Sequence, residues 1–219
     1  MKPFVYFDLE TIPSQDPAIL EKLRADVKAP ATFKKPESIA EWLAENRETA
    51  AQEALAKTSF DPMHGHICTI AFARNDGDIE VCHAETVADE RDILATFFAW
   101  LDPYHSETLV GHYISGFDVP FLLKRAVILG LKIPSGIPRD PKPWDKLLND
   151  TMVMWAGAKG SVSMDKLAAG LGIQGKSGFD GSMVAQAWAN GEHDKIADYC
   201  KDDVRMVREI HNRFLAVGW

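Results

Sequence analysis

Cysteine is scarce in this 219-residue sequence: Cys68, Cys82 and Cys200 are odd in number, far apart, and form no Cys-x-x-Cys pair. That excludes a disulfide framework and a zinc ribbon, and it fits the reduced thiols of a cytoplasmic protein. Long apolar runs are missing too. No stretch approaches the roughly 18 residues of a membrane span, so no membrane partner is expected. The first residues, Met1 to Asp8, hold only a short apolar run broken by acid, so a signal peptide is not expected either. Positive charge is in deficit: 24 Lys and Arg against 32 Asp and Glu leave a formal net charge of −8. A chain of that sign does not coat nucleic acid by bulk electrostatics. An enzyme that gathers acidic side chains around metal ions remains compatible with it, because four carboxylates carry the charge that two divalent cations cancel.

Apolar residues make up 46% of the chain, enough for a sizeable core, and the length suits a single domain spanning 1–219. The first strand, Lys2 to Glu10, organises the rest: an apolar run, Phe4 to Phe7, ends in Asp8 and Glu10. Residues 13–62 read as a helical insertion after that strand, with an amphipathic helix over about 37–57. Two apolar runs, Ile67 to Ala73 and Ile79 to Cys82, flank Asn75-Asp76-Gly77-Asp78 and form a hairpin pattern. A helix over 88–101, a short strand over 108–111 and a helix over about 116–129 follow. After a proline-rich loop over 133–144, a strand over 150–154 and a short helix over 164–171 are predicted, then a glycine-rich loop over 172–181. A long amphipathic helix over 194–215 carries Ile196, Cys200, Val204, Val207, Ile210 and Phe214 as its stripe. This order describes an α/β protein, a mixed sheet flanked by helices.

Three acidic motifs carry chemistry. Asp8 and Glu10 stand at i and i+2 on a strand, so both project from one face, and two like charges side by side call for a cation between them. Asp118 lies in Ser115-Gly116-Phe117-Asp118-Val119-Pro120 at the start of a helix. Its ordinary explanation is a capping box, Ser-x-x-Asp. Tyr199 and Asp203 are spaced i, i+4 on the edge of the C-terminal stripe, where Asp198 and Asp202 point away from them. A solvated acid beside a half-buried tyrosine would explain that pair equally well. Each motif alone is weak.

Together and in this order, Asp8-x-Glu10, Phe117-Asp118-x-Pro120 and Tyr199-x-x-x-Asp203 resemble the DEDD superfamily of 3′–5′ exonucleases. The tyrosine is similar to the subclass that uses Tyr where the other uses His. The likeness is nearest to stand-alone exonucleases related to the proofreading domain of B-family DNA polymerases. Gly111-His112, Asp150-Thr151 and the Lys176…Asp180-Gly181-Ser182 loop extend it along almost the whole chain. The resemblance implies an RNase H-like mixed sheet of five to six strands. It implies two Mg2+ or Mn2+ ions held by Asp8, Glu10, Asp118 and Asp203, with Asp8 bridging both and Glu10 and Asp203 holding the ion that carries the attacking water. Tyr199 would orient that water. The implied substrate is a single-stranded 3′ end, DNA ahead of RNA, cut to nucleoside monophosphates, in proofreading or DNA repair beside a polymerase or repair partner. One departure stands out: where the family usually has Asn, this chain has Tyr113, which leaves the metal ligands intact and changes how the terminal nucleotide is held.

Other readings compete. RNA trimming is close, since RNase D-like relatives share the tyrosine motif, and a catalytically silent binding or docking module on the same fold would have lost at least one of the carboxylates. Gly170 to Ser177 matches Gly-x4-Gly-Lys-Ser, a phosphate loop, but helical spacing precedes it and loop follows it, the wrong context for that motif. His64-Gly65-His66 lacks a third zinc ligand at a familiar spacing and reads as a turn before a strand. Among the six tryptophans, Trp144 and Trp155 flank loops and are candidates for stacking on bases; Lys34, Lys35, Lys142, Lys159 and Lys176 are candidates for backbone contacts.

Overall fold

A computed structural model describes residues 3–101, 107–142, 144–175 and 178–219. Strand β1 (Phe4–Ile12) lies at the centre of a five-stranded sheet of order β3-β2-β1-β4-β5. On one side it pairs antiparallel with β2 (His66–Arg74), which turns through the Asn75–Gly77 hairpin into β3 (Glu80–His83). On the other side it pairs parallel with β4 (Thr108–Gly111), and β4 with β5 (Leu148–Asp150). An antiparallel half joined to a parallel half through the first strand is the mixed sheet of an RNase H-like fold, here with five strands.

Both faces of β1 are covered, and its side-chain alternation divides the core in two. Val5, Phe7 and Leu9 belong to the large apolar cluster under α3 (Glu90–Leu101) and α4 (Asp118–Ile128). Tyr6 packs with Cys200, Val204 and Val207 of the last helix, α8 (His193–Ala216), and Ile12 packs with its Ile196 and Tyr199. A period of two therefore puts Asp8 and Glu10, between Tyr6 and Ile12, on the face toward α8.

Between β1 and β2, residues 13–62 contain two helices, α1 (Pro17–Asp26) and α2 (Pro36–Lys57), where sequence periodicity showed only the second. Helix α1 buries no residue, so it has no stripe to be read; Asp16 caps it through Ala18 N–H at 2.9 Å. The insertion returns to the end of β1, where Thr11 Oγ1 donates to Ser59 O at 2.8 Å and Ser14 N–H to Thr58 Oγ1 at 2.9 Å.

Two expectations are corrected. The strand predicted over 150–154 ends at Asp150, and α5 (Thr151–Ala156) begins there, because Asp150 accepts from the N–H groups of Met152 (3.1 Å) and Val153 (3.3 Å) and caps the helix. The capping box over Ser115 and Asp118 does not form: α4 starts at Asp118 itself, and Ser115 Oγ donates to Asp150 Oδ2 at 2.7 Å. Two further short helices, α6 (Met164–Gly170) and α7 (Val184–Ala189), bring the chain to α8. The phosphate-loop match follows helix α6, not a strand; its Lys176 and Ser177 lie outside the described residues.

Candidate active site

The site begins with a bulge. Glu10 pairs with Thr69 but Thr11 pairs with Ile67, so Cys68 is an extra residue on β2 directly opposite the acidic end of β1. The bulge turns Cys68 to the α8 side, where its thiol donates to Glu10 O at 3.4 Å, while Ile67 and Ile70 stay in the opposite core. A second thiol braces the same strand. Cys200, fully buried in α8, reaches Asp8 O at 3.4 Å and Asp8 Oδ2 at 3.6 Å.

Potential ligand atoms of Asp8, Glu10 and Cys200 all lie within 4.8 Å of one another. Cys200 belongs to this group as a donor: burial, then the charges of Asp8, Glu10 and Asp203, push its thiol well above the ordinary range, so the proton stays on sulfur.

Asp118 enters from the first residue of α4 and is 4% exposed. Burial pushes its carboxyl up to about 7; hydrogen bonds from its own backbone and from Leu9 oppose this, and the charges of Asp150 and Asp203 add to it. The contact with Leu9 ties Asp118 to β1 between Asp8 and Glu10. From α8, Asp203 is 4% exposed and Tyr199 is 8% exposed. Burial raises the Tyr199 phenol far above its ordinary range, and the charges of Asp203, Glu10, Asp8 and Asp165 raise it further. Asp8, Glu10 and Asp203 thus act electrostatically on Tyr199, and Asp203 on Asp118, at the end of β1 and beside α8. Asp198 and Asp202 point elsewhere, to Lys201 at 3.2 Å and Arg205 at 3.5 Å.

Tyr199 has an aromatic neighbour, Phe179, at a centroid distance of 5.0 Å, and its hydroxyl lies where a side chain at Gly181 would reach it, 3.9 Å from a Cβ. Asp165, in α6, is a further acid near this hydroxyl that sequence reasoning did not single out.

Asp150 was also missed as a functional side chain. Besides capping α5, it accepts from Tyr113 N–H (3.0 Å), Ser115 N–H (3.1 Å) and Ser115 Oγ (2.7 Å), which fixes the turn between β4 and Asp118. His112 is held across the same turn by Thr151 Oγ1 and Val162 O, both at 2.9 Å. The sequence signal for this was Asp150 as an N-cap residue, hidden by the β-branched residues after it. His66, the candidate zinc residue, contacts Glu90 Oε2 at 3.1 Å at the start of β2, away from this pocket. Trp144 and Trp155 are exposed, and Trp155 lies edge-on to Phe214 at 6.5 Å, on the far part of α8.

Carboxylates as close as those of Asp8 and Glu10 favour a cation between them. The donors are hard oxygens, which suit Mg2+ or Mn2+ and fit no thiolate metal, given that Cys200 keeps its proton.

Comparison with known proteins points the same way. A family model described as a predicted 3′–5′ exonuclease related to the exonuclease domain of PolB matches residues 58–214, which include Asp118, Tyr199 and Asp203 but not Asp8 and Glu10. DNA polymerase 2 of Aeropyrum pernix is 25% identical over 174 residues, 72% of this chain and 21% of the polymerase. The DNA polymerase of Pyrococcus glycovorans is 21% identical over 172 residues, 68% of this chain and 22% of its own. The chain thus spans about a fifth of the length of these relatives. The family B DNA polymerase of Pyrobaculum calidifontis shares the fold, with a TM-score of 0.61 and 18% identity over 98% of this chain and 25% of that one. Among the described residues no helix is long and apolar enough to cross a membrane.

Proposed function

Since this chain belongs to the family of predicted 3′–5′ exonucleases related to the exonuclease domain of PolB, we propose that it shortens single-stranded DNA from the 3′ end, releasing nucleoside monophosphates. The observation that carries this reading is the acidic end of β1, where Asp8 and Glu10 lie within 4.8 Å of the Cys200 thiol and, with Asp203, act on Tyr199, while Asp203 also acts on Asp118. Asp8, Glu10, Asp118 and Asp203 would hold two Mg2+ or Mn2+ ions. Bound there, the ions would supply activation of a water for attack on phosphorus and stabilisation of the departing 3′ oxygen.

The chain's own residues do the rest. Asp8, opposite Ala71 of β2, two residues beyond the pairing with β4 and braced by the Cys200 thiol, would be a metal ligand. Glu10 is 9% exposed and stands beside it over the Cys68 bulge. Asp118 and Asp203 close the pocket from two helices. A phenol raised by burial and by four acids keeps its proton near neutrality, so Tyr199 acts as a hydrogen-bond donor that aims the attacking water and does not itself remove a proton.

Trimming of RNA uses the same chemistry and depends on how the 2′-OH is received. A DNA polymerase or repair complex is the class of partner that the relationship suggests. The test offers a 5′-labelled single strand, as DNA and as RNA, with Mg2+, Mn2+ or EDTA, to the wild type and to Asp8→Ala. A ladder shortening from the 3′ end, produced by the wild type alone and abolished by EDTA, is the expected result. Equal digestion by Asp8→Ala would remove Asp8 from the site. A wild type inert toward every strand with both metals would leave a binding module.

A further inference from the structure

We infer that Tyr113 is a positioning residue for the substrate, and that its ring is a platform on which an unpaired base near the 3′ end stacks. This rests on the nuclease reading above. Among the described residues only Asn75 and Tyr113 carry a positive φ without being glycine. Asn occupies that region readily, and a bulky aromatic does not. Tyr113 nevertheless stands at φ +63, held there by its own N–H on Asp150 and by the two Ser115 donors on the same carboxylate. A backbone so firmly fixed in an unfavourable conformation aims its side chain in one direction.

That direction is across Gly116. A Cβ built on Gly116 would sit 2.2 Å from Tyr113 Cε2, 2.4 Å from Cζ and 2.8 Å from the hydroxyl, so the ring packs against a backbone that only glycine leaves open. Gly116 is two residues before Asp118. The ring is 48% exposed and belongs to none of the apolar clusters, so packing does not account for it.

Its place in the fold fits a substrate contact. Val110 pairs with Tyr6 in the parallel β1–β4 ladder, so the chain leaving β4 toward Tyr113 runs beside the end of β1 that carries Asp8 and Glu10. A second exposed ring, Phe60 (71%), lies 6.2 Å from Phe117 at the same helix start. Exposed aromatic rings beside the start of the helix that carries Asp118 suit a ligand that brings its own negative backbone to the metals and offers bases as flat apolar faces. Stacking needs a base free of its partner strand, so such a platform selects single-stranded or frayed ends.

The experiment uses the full chain and a single strand ending in 2-aminopurine, whose fluorescence is quenched by stacking, together with steady-state digestion in Mn2+. Tyr113→Ala is expected to lose most of the quenching and to raise KM roughly 5- to 150-fold, the range for loss of one base–aromatic stack, with kcat little changed. Tyr113→Phe restores both. Tyr113→Asn loses the stack yet melts higher than wild type, because Asn accepts the backbone conformation. Quenching and KM unchanged in Tyr113→Ala, while the wild type digests the strand, would overturn the inference and leave the nuclease reading standing. A fall in kcat at constant KM would also overturn it, by showing an effect through Asp118. A wild type that quenches the probe but digests no strand would sink the nuclease reading and keep the platform.

Discussion

Replacing Asp118 by Asn separates what the carboxylate does for folding from what it does with metal. In the metal-free protein burial raises Asp118 from 3.8 to about 7, so the folded state holds a proton that the unfolded chain has released. Stability from this group is complete below pH ~4, declines as pH rises, and is gone above ~7, at a slope of about 1.4 kcal/mol per pH unit. The full span, about three pH units, is on the order of 4 kcal/mol. Asparagine cannot ionise and keeps one acceptor for the Leu9 backbone, so Asp118→Asn is expected to be more stable than wild type at pH 8 without metal, by roughly 2–4 kcal/mol, or some 5–15 °C in Tm for a chain of this size. At pH 4 the two should nearly coincide, and at pH 5 Asp118→Asn should lead by only about 1 kcal/mol. Adding Mn2+ reverses the order at pH 8, since the ion stabilises only the form with the ligand, and by more as pH rises and no proton has to be displaced. Thermal melts of both proteins at pH 5, 6.5 and 8, in EDTA and in Mn2+, check all of this. A metal-free Tm difference that stays flat from pH 5 to 8, or a wild type that gains on Asp118→Asn as pH rises in EDTA, would refute the reasoning.

Two further outcomes follow from the same geometry. Tyr199→Phe removes a buried hydroxyl aimed at the acidic pocket, so kcat is expected to fall on the order of 10²-fold, the cost of one aimed donor, with Mn2+ affinity by calorimetry unchanged. Away from the pocket, Arg125→Ala strands Glu90, which is 1% exposed and held by Arg125 Nη2 at 2.6 Å. A loss of about 3–5 kcal/mol in urea unfolding is expected, and the double change Glu90→Leu, Arg125→Met should recover most of it.

Much of the frame could be read from the sequence because it rests on periodicity. Strand β1, the Asp76-Gly77 hairpin and the α8 stripe each repeat a burial pattern over several residues, and the structure reproduces them with small shifts at the ends. The common face of Asp8 and Glu10 follows from the period of two alone. What was illegible depends on single contacts. Thr151 and Val153 have strand propensity, yet one Asp150 carboxylate accepting two N–H groups makes their segment helical. Ser115 has the spacing of a capping residue, and the stronger acceptor 35 residues away takes its hydroxyl. Helix α1 has no buried face to announce it, and α7 is only six residues long. The Cys68 bulge adds one residue on β2, which leaves no trace in composition and turns the Cys68 thiol to the Glu10 carbonyl.

That bulge and the two thiols explain how a strand can serve both core and chemistry. Val5, Phe7 and Leu9 fill one apolar side and Tyr6 and Ile12 the other, so β1 is fixed whatever happens at its acidic positions. Asp8 and Glu10 sit between Tyr6 and Ile12 on the α8 face of β1. Their carbonyls accept from thiols, which are weak donors of modest size, and a stronger polar neighbour such as Lys or Arg in place of Cys68 or Cys200 would neutralise the carboxylates and compete with a cation. Ordinary hydrophobic burial on both sides of β1 thus holds Asp8 and Glu10 in place. Burial is the first cause of the raised Asp118 carboxyl and the charges of Asp150 and Asp203 add to it, so a substitution that removes one of the proposed ligand acids should stabilise the metal-free chain and weaken metal binding together.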